Sequence, residues 1–276
     1  MVLMIPGILT ASFLSLFYCM MPEGGRKGRM AEYEKQYIAH RGFHDNHAEC
    51  PENTLAAFQK AVEAGYGIEL DVQLTKDEIP VVVHDYDLKR ICGINKKVLD
   101  CTYEELKRYT VCRSNEAIPA LKDVLRLVSG RVPLVIELKV ERKFRKTCER
   151  VTELLDYYHG SYCIESFSPL ALWWFKIHRP QVLRGQLATN HWREGLKSHL
   201  IIRAILTNCL LNGFCKPDFI AYNCQFTKTL PVTVLRKIYK CKMAAWTIKS
   251  QKELERHRKY FDVFIFDGFL PERESG

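Results

Sequence analysis

The chain has 276 residues, 47% of them hydrophobic, and 41 Lys and Arg against 32 Asp and Glu give a net charge of +9. That length holds one large domain of the size of an α/β barrel, and no break in composition demands a second. The positive balance points to an anionic ligand or surface, but no Lys/Arg tract is interleaved with stacking aromatics, so nucleic acid is not an expected partner. Eleven cysteines, odd in number and without C-x-x-C or zinc-type spacing, read as buried small hydrophobes in a reducing compartment.

Taken in chain order, Val2 to Met21 is uncharged, apolar and about long enough to cross a bilayer. No basic residue precedes it, Arg26, Lys27 and Arg29 follow it, and no small-x-small cleavage site is present. The expectation is a transmembrane anchor over residues 1–22, with the rest of the chain cytoplasmic. An uncleaved export signal or a mis-assigned start codon are the alternatives. A polar linker over 23–36 then leads to a catalytic domain over 37–276.

Nine strand-like runs follow: Tyr37 to His40, Gly67 to Leu74, Pro80 to His84, Leu134 to Lys139, Tyr162 to Phe167, Leu183 to Leu187, Asp218 to Asn223, Met243 to Ile248 and Val263 to Asp267. Helical patterns separate most of them, such as Thr54 to Ala64 behind Asn53 as N-cap, and Pro169 to His178. Leu74 and Pro80 lie too close in sequence for a parallel crossover, so the third run returns as an antiparallel hairpin. Eight strands remain, separated by helices, and predict a closed (β/α)8 TIM barrel whose chemistry sits at the C-terminal strand ends. Between Asp85 and Arg131 the chain is long enough for a small insertion after the third strand-like segment, with a helical turn over Thr102 to Arg108. The stretch Leu200 to Phe214 carries only Arg203 as a charge. It reads as a buried barrel helix, with an interfacial helix at the bilayer as the alternative.

Four short segments, His40-Arg41-Gly42, Glu69-Leu70-Asp71, His84-Asp85 and Glu137-Leu138-Lys139, sit where apolar runs end. Strand alternation points Glu69 and Asp71 the same way, and likewise Glu137 and Lys139. Carboxylates on such runs are costly to bury alone, so a divalent cation or a phosphate is expected among them.

In order, Ala39-His40-Arg41-Gly42, Pro51-Glu52-Asn53-Thr54, Gly67-Ile68-Glu69-Leu70-Asp71-Val72, Val82-Val83-His84-Asp85 and Ile136-Glu137-Leu138-Lys139 resemble the glycerophosphodiester phosphodiesterase family. The likeness continues through Ile118-Pro119-Ala120-Leu121, Ser166-Phe167-Ser168 and Ala245-Trp246-Thr247, covering roughly Tyr37 to Pro271. It implies a metal-dependent hydrolase that converts glycerophosphodiesters to sn-glycerol 3-phosphate and an alcohol. Glu69, Asp71 and Glu137 would hold Mg2+ or Ca2+, a hard-cation set less suited to zinc. His40 and His84 would be the acid/base pair, with His40 the first choice for base, because imidazole changes charge near neutral pH. Arg41 and Lys139 would hold the phosphate oxygens, and Trp246 would wall the substrate. Two other readings stand beside this one: a lysophospholipid or other lipid phosphodiesterase on the same barrel, and a non-catalytic, membrane-tethered phosphate-ester-binding protein.

Other residues receive structural readings. Glu52 and Asn53 are expected to cap and order the first helix. His44, Asp45 and His47 belong to no motif and read as solvated loop. Lys249 and Phe266-Asp267 depart from the family pattern, and neither is expected to touch the metal or acid/base positions. The oligomeric state is not encoded in any feature of the sequence.

Overall fold

Hydrogen-bonded strand pairing closes into a ring in the computed structural model, which describes residues 14–34, 36–195 and 197–272. The parallel strands are β1 (Tyr37–Ala39), β2 (Gly67–Leu74), β4 (Leu134–Leu138), β5 (Tyr162–Ser166), β6 (Leu183–Ala188), β7 (Phe219–Asn223), β8 (Lys242–Ile248) and β9 (Val263–Phe266). β1 pairs with both β2 and β9, so the sheet has no open gap. β3 (Pro80–Val82) lies antiparallel on β2, with Leu74 opposite Pro80, as the short connection requires. The expected (β/α)8 barrel is therefore the observed one, and β2 is buried at every position, as a strand covered on both faces must be.

The helices are α1 (Ala31–Glu34), α2 (Leu55–Glu63), α3 (Lys89–Cys92), α4 (Tyr103–Leu106), α5 (Leu121–Val128), α6 (Phe144–Leu155), α7 (Pro169–His178), α8 (Leu200–Thr207), α9 (Asn212–Cys215), α10 (Leu230–Lys237) and α11 (Gln251–His257). Thr54, rather than Asn53, caps α2: its Oγ1 accepts from the Ala57 amide at 3.4 Å. Asn53 is turned away by its positive φ of 58° and serves the site instead. The insertion contributes α3 and α4, the latter opened by a Thr102/Glu105 capping box, and buries its own cluster of Val83, Leu88, Ile91, Val98, Leu106 and Ile118.

The barrel interior is filled by Ile38, Val135, Cys163, Phe219, Ala244 and Ile265, and Met30 and Tyr33 close it from below. Within residues 23–34, Arg26, Met30 and Tyr33 thus hold the segment to the barrel. Arg26 donates twice to Asp218, Nε to Oδ1 at 2.7 Å and Nη2 to Oδ2 at 2.6 Å. Asp218 also accepts from the Arg184 amide at 2.9 Å, and both it and Arg184 are almost fully buried. Residues 14–20 are helical and tied to the same floor: Tyr239 Oη donates to the Phe17 carbonyl at 2.6 Å and Asn212 Nδ2 to that of Met20 at 3.3 Å. Residues 2–13 of the expected anchor lie outside the described residues. Among those described, no helix is long and apolar enough to cross a membrane.

The stretch Leu200 to Phe214 is not the buried helix its composition suggests. It breaks into α8 and α9, and α8 buries only Thr207 while Leu200, Ile201 and Ile202 stand 65%, 73% and 46% exposed. All eleven cysteines are free thiols, most of them buried.

Removing Asp218 would leave Arg184 buried without its counter-charge. Asp218→Ala should cost about 3–5 kcal/mol of stability, measured by denaturant unfolding, whereas Arg26→Ala, which removes the more exposed partner, should cost less.

Candidate active site

Parallel register brings the carboxylates together. β2 and β4 pair with Asp71 opposite Glu137, and Glu69 lies on the same face two residues earlier. One oxygen from each of Glu69, Asp71 and Glu137 lies within 4.8 Å of the others, and all three side chains are buried. Burial pushes Glu137 up to about 7, against the pull of Lys139 and with Asp71 adding to the rise. Burial, helped by Asp71, Glu165 and Glu137, also raises Glu69 well above the carboxylate range. Burial acts on Asp71 as well, but there Lys139, Arg41 and His84 outweigh it and hold the group well below that range.

The positive partners come from two motifs. Lys139 Nζ lies 3.1 Å from Glu137 Oε1 and 3.4 Å from Asp71 Oδ1. Arg41 sits at φ 56°, its amide donating to Glu69 Oε2 at 3.0 Å while its Nε lies 3.4 Å from Asp71 Oδ2. Gly42 follows at φ 83°, and a Cβ there would meet the Ala57 backbone at 2.9 Å. The glycine of His-Arg-Gly is therefore what lets this loop lie against the first turn of α2.

Three acid groups face two cations here, and Arg41 also pairs with Glu52. Asp71 Oδ1 is buried and accepts no hydrogen bond. An all-oxygen set with an unsatisfied buried acceptor and surplus negative charge fits a hard divalent cation.

The structure gives Glu52 and Asn53 work at the site in place of the expected helix capping. Asn53 Nδ2 donates to Asp71 Oδ2 at 2.8 Å, so it aims that carboxylate. Glu52 accepts from Arg41 at 2.7 Å, from Asn46 at 2.7 Å and from Arg90 of α3 at 2.7 and 2.8 Å. Arg90 in turn reaches Asp85 Oδ2 at 2.6 Å. The insertion is thereby linked to both the Arg41 loop and the His84 loop.

Each histidine has a carboxylate on its Nδ1 side. His84 Nδ1 is 2.7 Å from Asp85 Oδ1. His40 Nδ1 is 3.8 Å from Asp267 Oδ2, while its Nε2 faces Glu69 Oε2 at 4.0 Å. Asp267 was expected to leave the acid/base positions untouched; it follows β9, which pairs with β1, and that adjacency delivers it to His40. His44, expected as solvated loop, meets the other Asp267 oxygen at 3.2 Å. Burial lowers the pKa of both His40 and His84, favouring neutral rings, with Asp267 opposing the shift at His40.

A fourth carboxylate escaped the sequence reading. Glu165 on β5 pairs in register with Glu137, is 2% exposed, and burial raises its pKa well above the carboxylate range. Its signal was an acid inside the strand-like run Tyr162 to Phe167, directly after Tyr162-Cys163-Ile164. Trp246 is half-buried at the mouth, donating Nε1–H to the Ala221 carbonyl at 2.9 Å and meeting Phe167 edge-on at 5.8 Å. From Glu137 and Lys139 a cavity of about 420 Å³ runs outward past Ser166 and Leu187 to Ile205, Leu206 and Leu211.

Asp267→Asn removes the negative charge beside His40 and should lower that imidazole's proton affinity roughly tenfold, about 1.4 kcal/mol of lost attraction. NMR titration of the ring checks it; an unchanged or raised His40 pKa would sink the pairing.

Comparison with known proteins agrees with this geometry. A Bacillus altitudinis glycerophosphodiester phosphodiesterase is 40% identical over 131 residues, 44% of this chain and 52% of that protein. Human lysophospholipase D GDPD1 is 36% identical over 166 residues, 55% of this chain and 50% of that one. The chain thus spans about half the length of these curated relatives. Among solved structures, an Oleispira antarctica phosphodiesterase in complex with the product sn-glycerol-3-phosphate superposes with a TM-score of 0.68 at 25% identity, covering 84% of this chain and 92% of that one. A Thermotoga maritima glycerophosphodiester phosphodiesterase gives 0.64 at 30% identity, covering 83% and 93%. The family model for glycerophosphoryl diester phosphodiesterases matches residues 40–260, which take in His40, the carboxylate cluster and Trp246, and the chain belongs to that family.

Proposed function

We propose that the chain hydrolyses glycerophosphodiesters to sn-glycerol 3-phosphate and an alcohol, using Mg2+ or Ca2+ held by Glu69, Asp71 and Glu137. The observation that carries this reading is the convergence of three buried carboxylates, two histidines, Arg41 and Lys139 on one barrel mouth. When bound, the cation neutralises phosphate charge that would otherwise repel a nucleophile. Arg41 presents a planar fork to the phosphate oxygens and Lys139 a point charge. His40, kept neutral by burial, takes the proton of the attacking hydroxyl. In its protonated form, which the nearby Asp71 charge and Asp85 on Nδ1 favour against the effect of burial, His84 gives a proton to the departing alcohol oxygen as the P–O bond breaks and is left neutral. Its greater side-chain exposure, 33% against 18% for His40, suits the rim position where the alcohol leaves. Asp267 and Asp85 orient the two rings, and Trp246 bounds the substrate.

Purified protein should release glycerol phosphate from glycerophosphocholine, glycerophosphoethanolamine or glycerophosphoglycerol, lose that activity in EDTA, and regain it with Mg2+ or Ca2+. His40→Ala and His84→Ala should each lower kcat by about 10²- to 10⁴-fold. Activity that survives the chelator, or both substitutions, would rule the mechanism out.

A second reading, an acylated substrate such as a lysophospholipid, is favoured by the cavity whose outer end is apolar at Ile205, Leu206 and Leu211. It is also favoured by the exposed Leu200, Ile201 and Ile202 beside it. The same side chains, with the apolar composition of residues 2–21, support placing the barrel at the cytoplasmic face of a membrane. If this reading holds, kcat/KM for a lysophospholipid exceeds that for the water-soluble diester, and Ile205→Asp plus Leu206→Asp erases the difference. Equal losses on both substrates would point to damage to the barrel rather than loss of an acyl site.

A further inference from the structure

Away from the carboxylate cluster, β7 and α11 bring together a second set of metal-ligand side chains. Cys224 lies in the short turn Cys224–Phe226 that follows β7. Glu253 and His257 lie four residues apart on α11, on the same side of the helix. The Cys224 sulfur, a Glu253 oxygen and a ring nitrogen of His257 all fall within 4.8 Å of one another, and Cys224 Sγ is 3.8 Å from Glu253 Oε1. Tetrahedral bonds of about 2.0–2.3 Å to zinc place neighbouring ligand atoms about 3.3–3.8 Å apart. The set is therefore near its bound spacing.

A second observation points to a ligand. Cys224 and His257 are 1% and 6% exposed, and His257 Nδ1 is buried with no hydrogen-bond partner. Cys224 Sγ lies 3.7 Å from the Thr247 carbonyl and 3.8 Å from Glu253 Oε1, weak sulfur hydrogen bonds that a metal–thiolate bond would replace. The other Glu253 oxygen accepts the Lys249 amide at 2.8 Å, which fixes the carboxylate with Oε1 toward Cys224. A buried imidazole nitrogen left without a partner beside a thiol and a carboxylate calls for one.

We propose that Cys224, Glu253 and His257 form a site for a borderline divalent cation of the zinc class, distinct in chemistry from the all-carboxylate cluster. Thiolate and imidazole select such ions over Mg2+ and Ca2+. Binding expels the thiol proton to solvent and leaves a fourth position for water. The site would staple the turn after β7 to α11. Between these two ligand groups the chain forms β8, whose Trp246 stands at the barrel mouth, so the cation would stiffen that wall without entering the carboxylate cluster.

The test is titration of the reduced, full-length chain with Co2+, read as the thiolate-to-metal charge-transfer absorption that an all-carboxylate site cannot give. The wild type should show this band at one equivalent bound to thiolate. Cys224→Ser should abolish it, and Cys209→Ser, at a buried cysteine outside the set, should leave it intact. His257→Gln should weaken Zn2+ affinity by at least about tenfold in competition with a chromophoric chelator, and carries the test should Cys224→Ser fail to fold. Absence of the band in the wild type, or its persistence unchanged in both Cys224→Ser and His257→Gln, would overturn the proposal.

Discussion

Three carboxylates held within a few ångströms of one another at buried strand ends are the constraint around which this barrel is arranged. Left alone they would repel and take up protons, and two of them, Glu69 and Glu137, are indeed pushed upward. Asp71 stays ionised because Lys139, Arg41 and Asn53 all address it. Those partners come from a strand end, a left-handed loop and a helix entry, so the cluster can exist only once the elements bearing them have met. Glu52 extends the arrangement by holding Arg41 on one side and Arg90 on the other. The small insertion is thereby part of the electrostatic support, although its own core is separate.

Much of this was legible in the chain because it rests on local rules. A strand's two-residue period is enough to put Glu69 beside Asp71 and Glu137 beside Lys139. The shortness of the Leu74 to Pro80 connection forces the hairpin that brings His84 back. What was illegible depends on register between distant strands. Glu165 faces Glu137 only because β4 and β5 pair as they do, and Asp267 reaches His40 only because the last strand closes on the first. Asn53 was misread for a different reason: its residue type suits a helix cap, but Thr54 took that place and backbone φ turned Asn53 to Asp71.

The apolar stretch after β6 shows the limit of composition as a guide. Hydropathy alone does not distinguish a helix that is buried from one that merely looks as though it should be. Here α8 carries its aliphatic side chains outward, next to a cavity that begins at charged residues and ends at apolar ones. One wall of the mouth therefore grades from polar to greasy over a short distance. The opposite rim, built from the His40, Glu52 and Arg90 groups, is held by ion pairs.

The floor of the barrel imposes an order on assembly. Arg26, Met30 and Tyr33 precede the first strand, yet Asp218, which pairs with Arg26, and Phe219 and Ala244, which share a buried cluster with Met30 and Tyr33, belong to β7, β8 and the approach to them. During synthesis the early segment must therefore wait, its apolar side chains without their final neighbours, until most of the chain has emerged. The same holds for β1, which cannot find β9 until every intervening strand has been made. Closure of the ring and sealing of its base thus both wait on the later strands, and a chain truncated before β7 would lack surface on which the segment ahead of β1 comes to rest.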